Sequence, residues 1–363
     1  MSISSQSSTK LFPTTVVGSM PRPTFVLELL EPESLEELGE KVWKARMDAA
    51  VSYMLAMMDS TGVEIITDGE WRRRSYTDVI AQMLDGFIPG GSLVSGAAPA
   101  PRYHTVVEPM HNHRHFIAEE ARFVKEHTDR QVKVCLPSPF ILGERMWDPE
   151  VSKKAYPTRR GFVEATIPFL RAELEAVRDV GVDIAQIDEP YISGFLDPNA
   201  KQAFDDPETD LDFLVDSLNQ VVQGVDGIHI ALHVCRFNRA RDGWRNEGGY
   251  EPVLPALQRL DVHEYTLEYS IPVAGDLAVL AELPEDRQIA LGCVDCRGEH
   301  IDTPEEIVKR VERAMEYVSK ERISLTPDCG FAPAIDSPIP LDEPYVKLKN
   351  EVRAAEILRE RYG

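Results

Sequence analysis

Eight short runs rich in apolar and β-branched residues recur along this 363-residue chain, and helical periodicity fills most of the intervals between them. The runs are 12–18 (FPTTVVG), 64–68 (EIITD), 132–137 (VKVCLP), 183–188 (DIAQID), 229–235 (HIALHVC), 264–270 (EYTLEYS), 289–295 (IALGCVD) and 323–329 (ISLTPDC). Several are apolar along most of their length, as strands covered on both faces must be. Eight such alternations predict an α/β fold, a (β/α)8 TIM barrel formed by a single domain over 1–363. A doubly wound open sheet is the alternative, but no G-x-G-x-x-G follows the first run. The segment 84–117, with GFIPGGSLVSGAAPAP, reads as an insertion in the second strand-to-helix connection.

The helices carry their own signals. Thr303-Pro-Glu-Glu306 is a capping box with proline at the first helical position, and Ile307, Val311, Ala314, Met315 and Val318 follow at helical spacing. Val163, Ile167, Leu170, Leu174 and Val177 form another apolar stripe, in which Pro168 should kink or restart the helix. Long helices are expected over 35–59 and 345–361.

In a barrel of this kind functional residues gather at the C-terminal ends of the strands. Those ends read Ser19, Glu70, Ser138, Asp188 with Glu189, His233 with Cys235, Glu268, Asp295 and Cys329. His233 and Cys235 share one face of their strand, because side chains alternate. Taken alone, H-x-C is either half of a zinc site or a core histidine beside an inert cysteine. His233, Cys235, Glu268 and Cys329 stand at the ends of strands five, six and eight, and their convergence would complete a four-coordinate zinc set.

The segments TTVVGSMPRP, ITDGEWRR, IAQIDEP, ALHVCRFN, LEYS and TPDCGFAP resemble, in order and spacing, the catalytic barrel of cobalamin-independent methionine synthase and its shorter relatives, over residues 11–335. The resemblance implies a catalytic Zn(2+) held by His233, Cys235, Glu268 and Cys329. It also implies a homocysteine backbone held by Val17, Gly18, Ser19, Glu70 and Asp188; Glu189, next to Asp188, is either a further substrate contact or a structural group. The chemistry agrees: a free thiol with pKa about 8.5 is a poor nucleophile at neutral pH, and zinc makes it a thiolate able to attack a methyl carbon. An amino-bearing substrate needs carboxylates for its ammonium, which Glu70 and Asp188 can provide.

Two departures from the family pattern shape the expected function. The two-barrel members carry an N-terminal half, absent from this sequence, that helps to hold polyglutamyl folate. Their catalytic histidine lies in a D-[IV]-H-S segment, where this chain has VDCRGEH. Asp295 is retained, Arg297 stands where that histidine would, and His300 follows three residues on. Arginine is a poor acid and a good partner for anions. The expectation is therefore a zinc-dependent methyltransferase that converts homocysteine to methionine using a donor other than polyglutamyl methylfolate, such as a corrinoid or corrinoid protein. Alkyl transfer to, or thioether cleavage involving, another thiol such as coenzyme M is an alternative. A methylfolate-dependent synthase and a non-catalytic zinc-binding barrel are the others.

A net charge of −22 argues against nucleic acid or an anionic membrane as partner. The partners expected are a small-molecule thiol and a methyl donor, with homo-oligomer formation left open. The N-terminal MSISSQSSTK lacks the apolar core of a signal peptide, so a cytoplasmic location is expected, with the five cysteines reduced. Cys293 and Cys296, three apart, point to opposite faces of a strand, and Cys293 is assigned to the core. His111, His113 and His115 fit a solvated hairpin better than a metal site. Arg72–Arg74 are either partners for an anionic donor or a solvated helix start.

Overall fold

The computed structural model describes residues 10–89, 103–204, 206–335 and 337–363. Its strands are β1 (Ile65–Ile66), the antiparallel pair β2 (Phe87–Ile88) and β3 (Thr105–Val106), then β4 (Gln131–Pro137), β5 (Ile184–Asp188), β6 (His229–Val234), β7 (Glu264–Glu268), β8 (Gln288–Val294) and β9 (Ile323–Pro327). Apart from β2 and β3 they form one parallel sheet in the order β1-β4-β5-β6-β7-β8-β9. The first apolar run closes it: Thr15 bridges Ile65 on one edge and Thr14 bridges Leu325 on the other, both in parallel. The fold is thus a (β/α)8 barrel whose opening strand is reduced to two bridging residues. Within the segment 84–117, β2 pairs with β3 and Leu84 bridges Asn112; residues 90–102 of that segment lie outside the described residues.

The main apolar core lies between the strands and the surrounding helices, while Ile65, Ile184 and Ala231 form a small cluster apart from it. The capping box forms as its sequence predicts: Thr303 caps the helix Pro304–Ala314 and Glu306 reaches back to the Thr303 backbone. Two helix expectations need correction. The helix expected over 35–59 is two helices, Ser34–Leu38 and Glu40–Thr61, because Gly39 sits at φ +72°, a conformation that ends the first. Pro168 neither ends nor restarts its helix, which runs unbroken over Arg159–Val180. Pro168 and Glu164, the residue four positions earlier, are both exposed, so the carbonyl that loses its hydrogen bond can face water. Among the described residues, no helix is long and apolar enough to cross a membrane.

Candidate active site

Parallel register sets the site. Asp188, the last residue of β5, lies beside His233 of β6, and His233 beside Thr266 of β7. Residues alternate in facing, so the strand ends direct Asp188, His233, Cys235 and Glu268 toward the barrel mouth. Candidate ligand atoms of His233, Cys235, Glu268 and Cys329 all lie within 4.8 Å of one another. The sulfurs of Cys235 and Cys329 are 3.4 Å apart, close to the roughly 3.8 Å that two Zn–S bonds of about 2.3 Å imply around a tetrahedral ion. His233 is buried; its Nδ1 is 3.4 Å from the Thr266 carbonyl, while its Nε2 is buried with no hydrogen-bond partner. A histidine whose outer nitrogen is held by a backbone carbonyl and whose other nitrogen is orphaned is poised as a metal ligand. The hydrogen bond shared with Cys329 holds the Cys235 thiol well below its usual range, against burial and with help from His233. This N/S/O set fits zinc.

A second group adjoins the first. Glu70, Cys135 and Asp188 also bring ligand atoms within 4.8 Å of one another. Glu70 sits at φ +58°, a rare conformation for a residue with a side chain, stabilised by its N–H donating to Asp68 Oδ1 at 2.8 Å. Gly18 packs against it, and a Cβ there would lie 2.8 Å from Glu70 Oε1 and 2.9 Å from Cys135 Sγ. The Cys135 thiol donates to the Val17 carbonyl at 3.2 Å, and the Ser19 carbonyl accepts from Phe331 N, two residues beyond Cys329. Val17, Gly18 and Ser19 therefore lie along the edge joining the two groups. Asp188 is buried and accepts from Gln186 Nε2 at 2.7 Å. Burial pushes its pKa up to about 7, with Glu70 adding to the rise and His233 opposing it. Glu70 is raised as well, by burial, against the pull of Arg73 and Arg22. Among the described residues neither buried acid takes part in a salt bridge, and the pair makes a natural seat for an ammonium group.

The remaining candidates divide. Arg297, 3 % exposed, reaches the first group: its Nη2 donates to Glu268 Oε2 at 2.5 Å and its Nη1 to Asp328 Oδ2 at 3.3 Å. Asp295 caps the turn below it, accepting from the N–H groups of Arg297 and Gly298. His300 is exposed, 3.3 Å from Glu306, and makes its contacts outside both groups. Glu189 accepts from Ser138 Oγ and from Tyr191 N at 2.7 Å, capping the short helix Pro190–Phe195; burial pushes it up to about 8. Its hydrogen bonds are those of a structural cap. Cys293 is buried with its thiol on the Thr326 carbonyl, whereas Cys296 accepts from Asn238 Nδ2; the two join no common ligand group among the described residues. His113 engages the Gln82 carbonyl and His115 the Glu173 carboxylate, so these histidines diverge. Of the arginine run, Arg72 pairs with Asp48, and Arg73 is buried against Glu120 and the Cys135 carbonyl.

Sequence reasoning missed three features. Cys135 was given no role, and its place beside Glu70 appears only when the barrel closes. Asp328, the neighbour of Cys329, is buried and anchors Arg297. Arg145 is buried among rings, with its guanidinium carbon 5.1 Å from the Tyr76 ring, 4.7 Å from Tyr103 and 6.0 Å from Phe237. Tyr76 lies within electrostatic reach of Cys235 and Asp188, which places this cationic, aromatic wall next to the site. No sequence signal joined those four residues, which come from three intervals between barrel strands: Tyr76 and Tyr103 between β1 and β4, Arg145 between β4 and β5, and Phe237 between β6 and β7.

A family model described as the cobalamin-independent synthase, catalytic domain, matches residues 12–356. The chain belongs to this family. A methionine synthase from Pyrococcus horikoshii is 27 % identical over 351 residues, covering 96 % of this chain and 93 % of that protein. A B12-independent methionine synthase from Shewanella sp. W3-18-1, solved in complex with selenomethionine, superposes with a TM-score of 0.75 at 22 % identity, covering 97 % of this chain and 98 % of the other. A methyltransferase from Methanosarcina mazei gives a TM-score of 0.56 at 15 % identity, covering 98 % of this chain and 95 % of that one. Family membership covers almost the full barrel, including both residue groups at its mouth.

Proposed function

We propose that this chain is a zinc-dependent methyltransferase that methylates the sulfur of homocysteine to give methionine, from a donor other than polyglutamyl methylfolate. The observation that carries the reading is the juxtaposition of the His233–Cys235–Glu268–Cys329 set with the buried acids Glu70 and Asp188. One group suits a thiol and the other an ammonium, as an amino-acid thiol requires. Zinc bound by the first group would lower the pKa of an incoming thiol and supply it as a thiolate. Glu70 and Asp188 hold the ammonium and so orient the sulfur. The thiol gives up its proton to solvent, its sulfur attacks the methyl carbon, and the carbon–donor bond breaks with its electron pair leaving on the donor.

The donor side supports a group other than methylfolate. Folate nitrogen leaves poorly unless protonated, and Arg297, which stands where the family's acid would, keeps its proton and is engaged with Glu268 and Asp328. A corrinoid needs no such acid, because cobalt departs with the bonding pair. The Arg145 wall suits a donor that carries negative groups and extended apolar surface. The test is a donor comparison at fixed homocysteine, read as methionine by mass spectrometry. Methylcobalamin is expected to outpace methylfolate; faster turnover with methylfolate would restore the folate-dependent reading.

A further inference from the structure

We propose that the barrel interior beneath the site holds a column of ordered water, and that this column carries the proton of the substrate thiol to the opposite mouth of the barrel. The proton role rests on the thiol reading above, whereas the hydration rests on the barrel wall alone. Side chains alternate along a strand, and one set joins the main core under the helices, as Val132, Val134 and Leu136 do on β4 and Ile323 and Leu325 do on β9. The other set faces the barrel axis. Barrels of this kind fill those positions with bulky branched side chains. This chain sets Lys133, Gln186, Glu264, Thr266, Ser324 and Thr326 there, all of them buried. Ala231 lies beside Gln186 in the sheet, and Ala290 lies between Thr266 and Ser324, so small residues alternate with the polar ones. The apolar part of the axis is the small cluster of Ile65, Ile184 and Ala231.

These polar groups do not satisfy one another. Lys133 Nζ, Gln186 Oε1, Thr266 Oγ1, Ser324 Oγ and Thr326 Oγ1 are buried with no hydrogen-bond partner among the described residues. So is Oε2 of Glu351, a fully buried residue of the helix Asp342–Tyr362. Lys133 lies within electrostatic reach of Cys135, Asp188, Glu264 and Glu351, yet its ammonium touches none of them. A buried ammonium held beyond contact distance from its carboxylates, with orphaned hydroxyls on the same axis, is bridged by water, which can bond several such groups at once. Both ends of the column are marked. Above, Gln186 Nε2 donates to Asp188 Oδ1 at 2.7 Å and reaches Cys135 Sγ at 3.5 Å, directly under the amine seat. Below, Glu264 Oε2 stands 3.7 Å from Nε2 of His229, whose side chain is 28 % exposed at the start of β6. When the substrate thiol ionises, its S–H bond breaks, the electron pair stays on sulfur and the proton passes to a water of the column. Exchange of O–H bonds along the column then releases a proton to bulk solvent at the His229 end.

A crystal structure of the full chain, at a resolution that shows ordered water, tests the column directly. Waters are expected on Lys133 Nζ, on Gln186 Oε1 and on the hydroxyls of Ser324 and Thr326. A dry interior, with Lys133 in direct contact with Glu264 or Glu351, overturns the proposal. The proton role is read by stopped-flow mixing of zinc-loaded protein with homocysteine in the presence of a pH indicator. Ser324→Val replaces a hydroxyl of the column by methyl groups four residues before Asp328, and should slow proton release several-fold while leaving its amplitude and the Kd for homocysteine unchanged. Thr326→Val should act in the same direction and serves if the first variant does not fold, as monitored by far-UV circular dichroism. Proton release at the wild-type rate in both folded variants overturns the role of the column. Wild-type protein that binds homocysteine and releases no proton would refute the thiol reading and the proton role together, so the two failures are distinct.

Discussion

Asp188→Asn separates recognition of the substrate's amine from recognition of its sulfur. The carboxylate is buried, carries one side-chain hydrogen bond from Gln186 and lies beside Glu70, and among the described residues neither acid is in a salt bridge. A charge-assisted hydrogen bond to a buried partner contributes about 1.5–3 kcal/mol. With a pKa of about 7 the empty site is about half ionised at neutral pH, and drawing on that half costs about 0.4 kcal/mol. The net expectation is a loss of about 2 kcal/mol, roughly thirtyfold in Kd, for homocysteine. For 4-mercaptobutanoate, the same thiol without the amine, the change should stay within about twofold. Titration calorimetry on the zinc-loaded protein measures both. The sign of the pH dependence follows from the raised pKa: Asp188 is neutral below about 7 and ionised above it, and the ammonium favours the ionised form. The advantage of homocysteine over 4-mercaptobutanoate should therefore grow from pH 6 to 8 and then level, because thiol ionisation is common to both ligands. Most of that growth should be absent in the variant, with Glu70 supplying the rest. Equal losses for the two thiols would refute the amine-site argument and leave Asp188 a structural residue.

Replacing Cys235 and Cys329 together by serine should abolish stoichiometric zinc by metal analysis, while chelation of the wild type should stop methyl transfer and leave far-UV circular dichroism nearly unchanged, since the barrel has its own core. Gly18→Ala would drive a methyl group against Glu70 and Cys135, and should raise KM for homocysteine several-fold more than for 4-mercaptobutanoate. Arg73→Met strands the buried Glu120 carboxylate, whose partner lies 2.8 Å away in the wild type, and should cost about 3 kcal/mol in urea unfolding.

The legible parts of the fold and site were those governed by local periodicity. His233 and Cys235 could be placed on one face because strands alternate, and Glu268 could be placed at a mouth because it ends an apolar run. The break at Gly39 was hidden because helical spacing continues through it, although a glycine with φ +72° ends the first helix. The opening strand shrank to Thr14 and Thr15 because a run of β-branched residues indicates strand propensity, not how many of them pair. Arg297 was recognised as a replacement, but its partner is set by the packing of Asp328 under Gly292, a contact between β8 and the end of β9. The same holds for Cys135 and Arg145, whose surroundings exist only once distant connections meet above the barrel.

Zinc K-edge X-ray absorption, with and without homocysteine, reads the sulfur count around the metal and so tests the site and its use together. The account predicts two sulfurs, from Cys235 and Cys329, in the resting protein and a third when homocysteine binds. A sulfur count that stays unchanged on adding homocysteine, in protein that holds zinc and binds the amino acid, would contradict it.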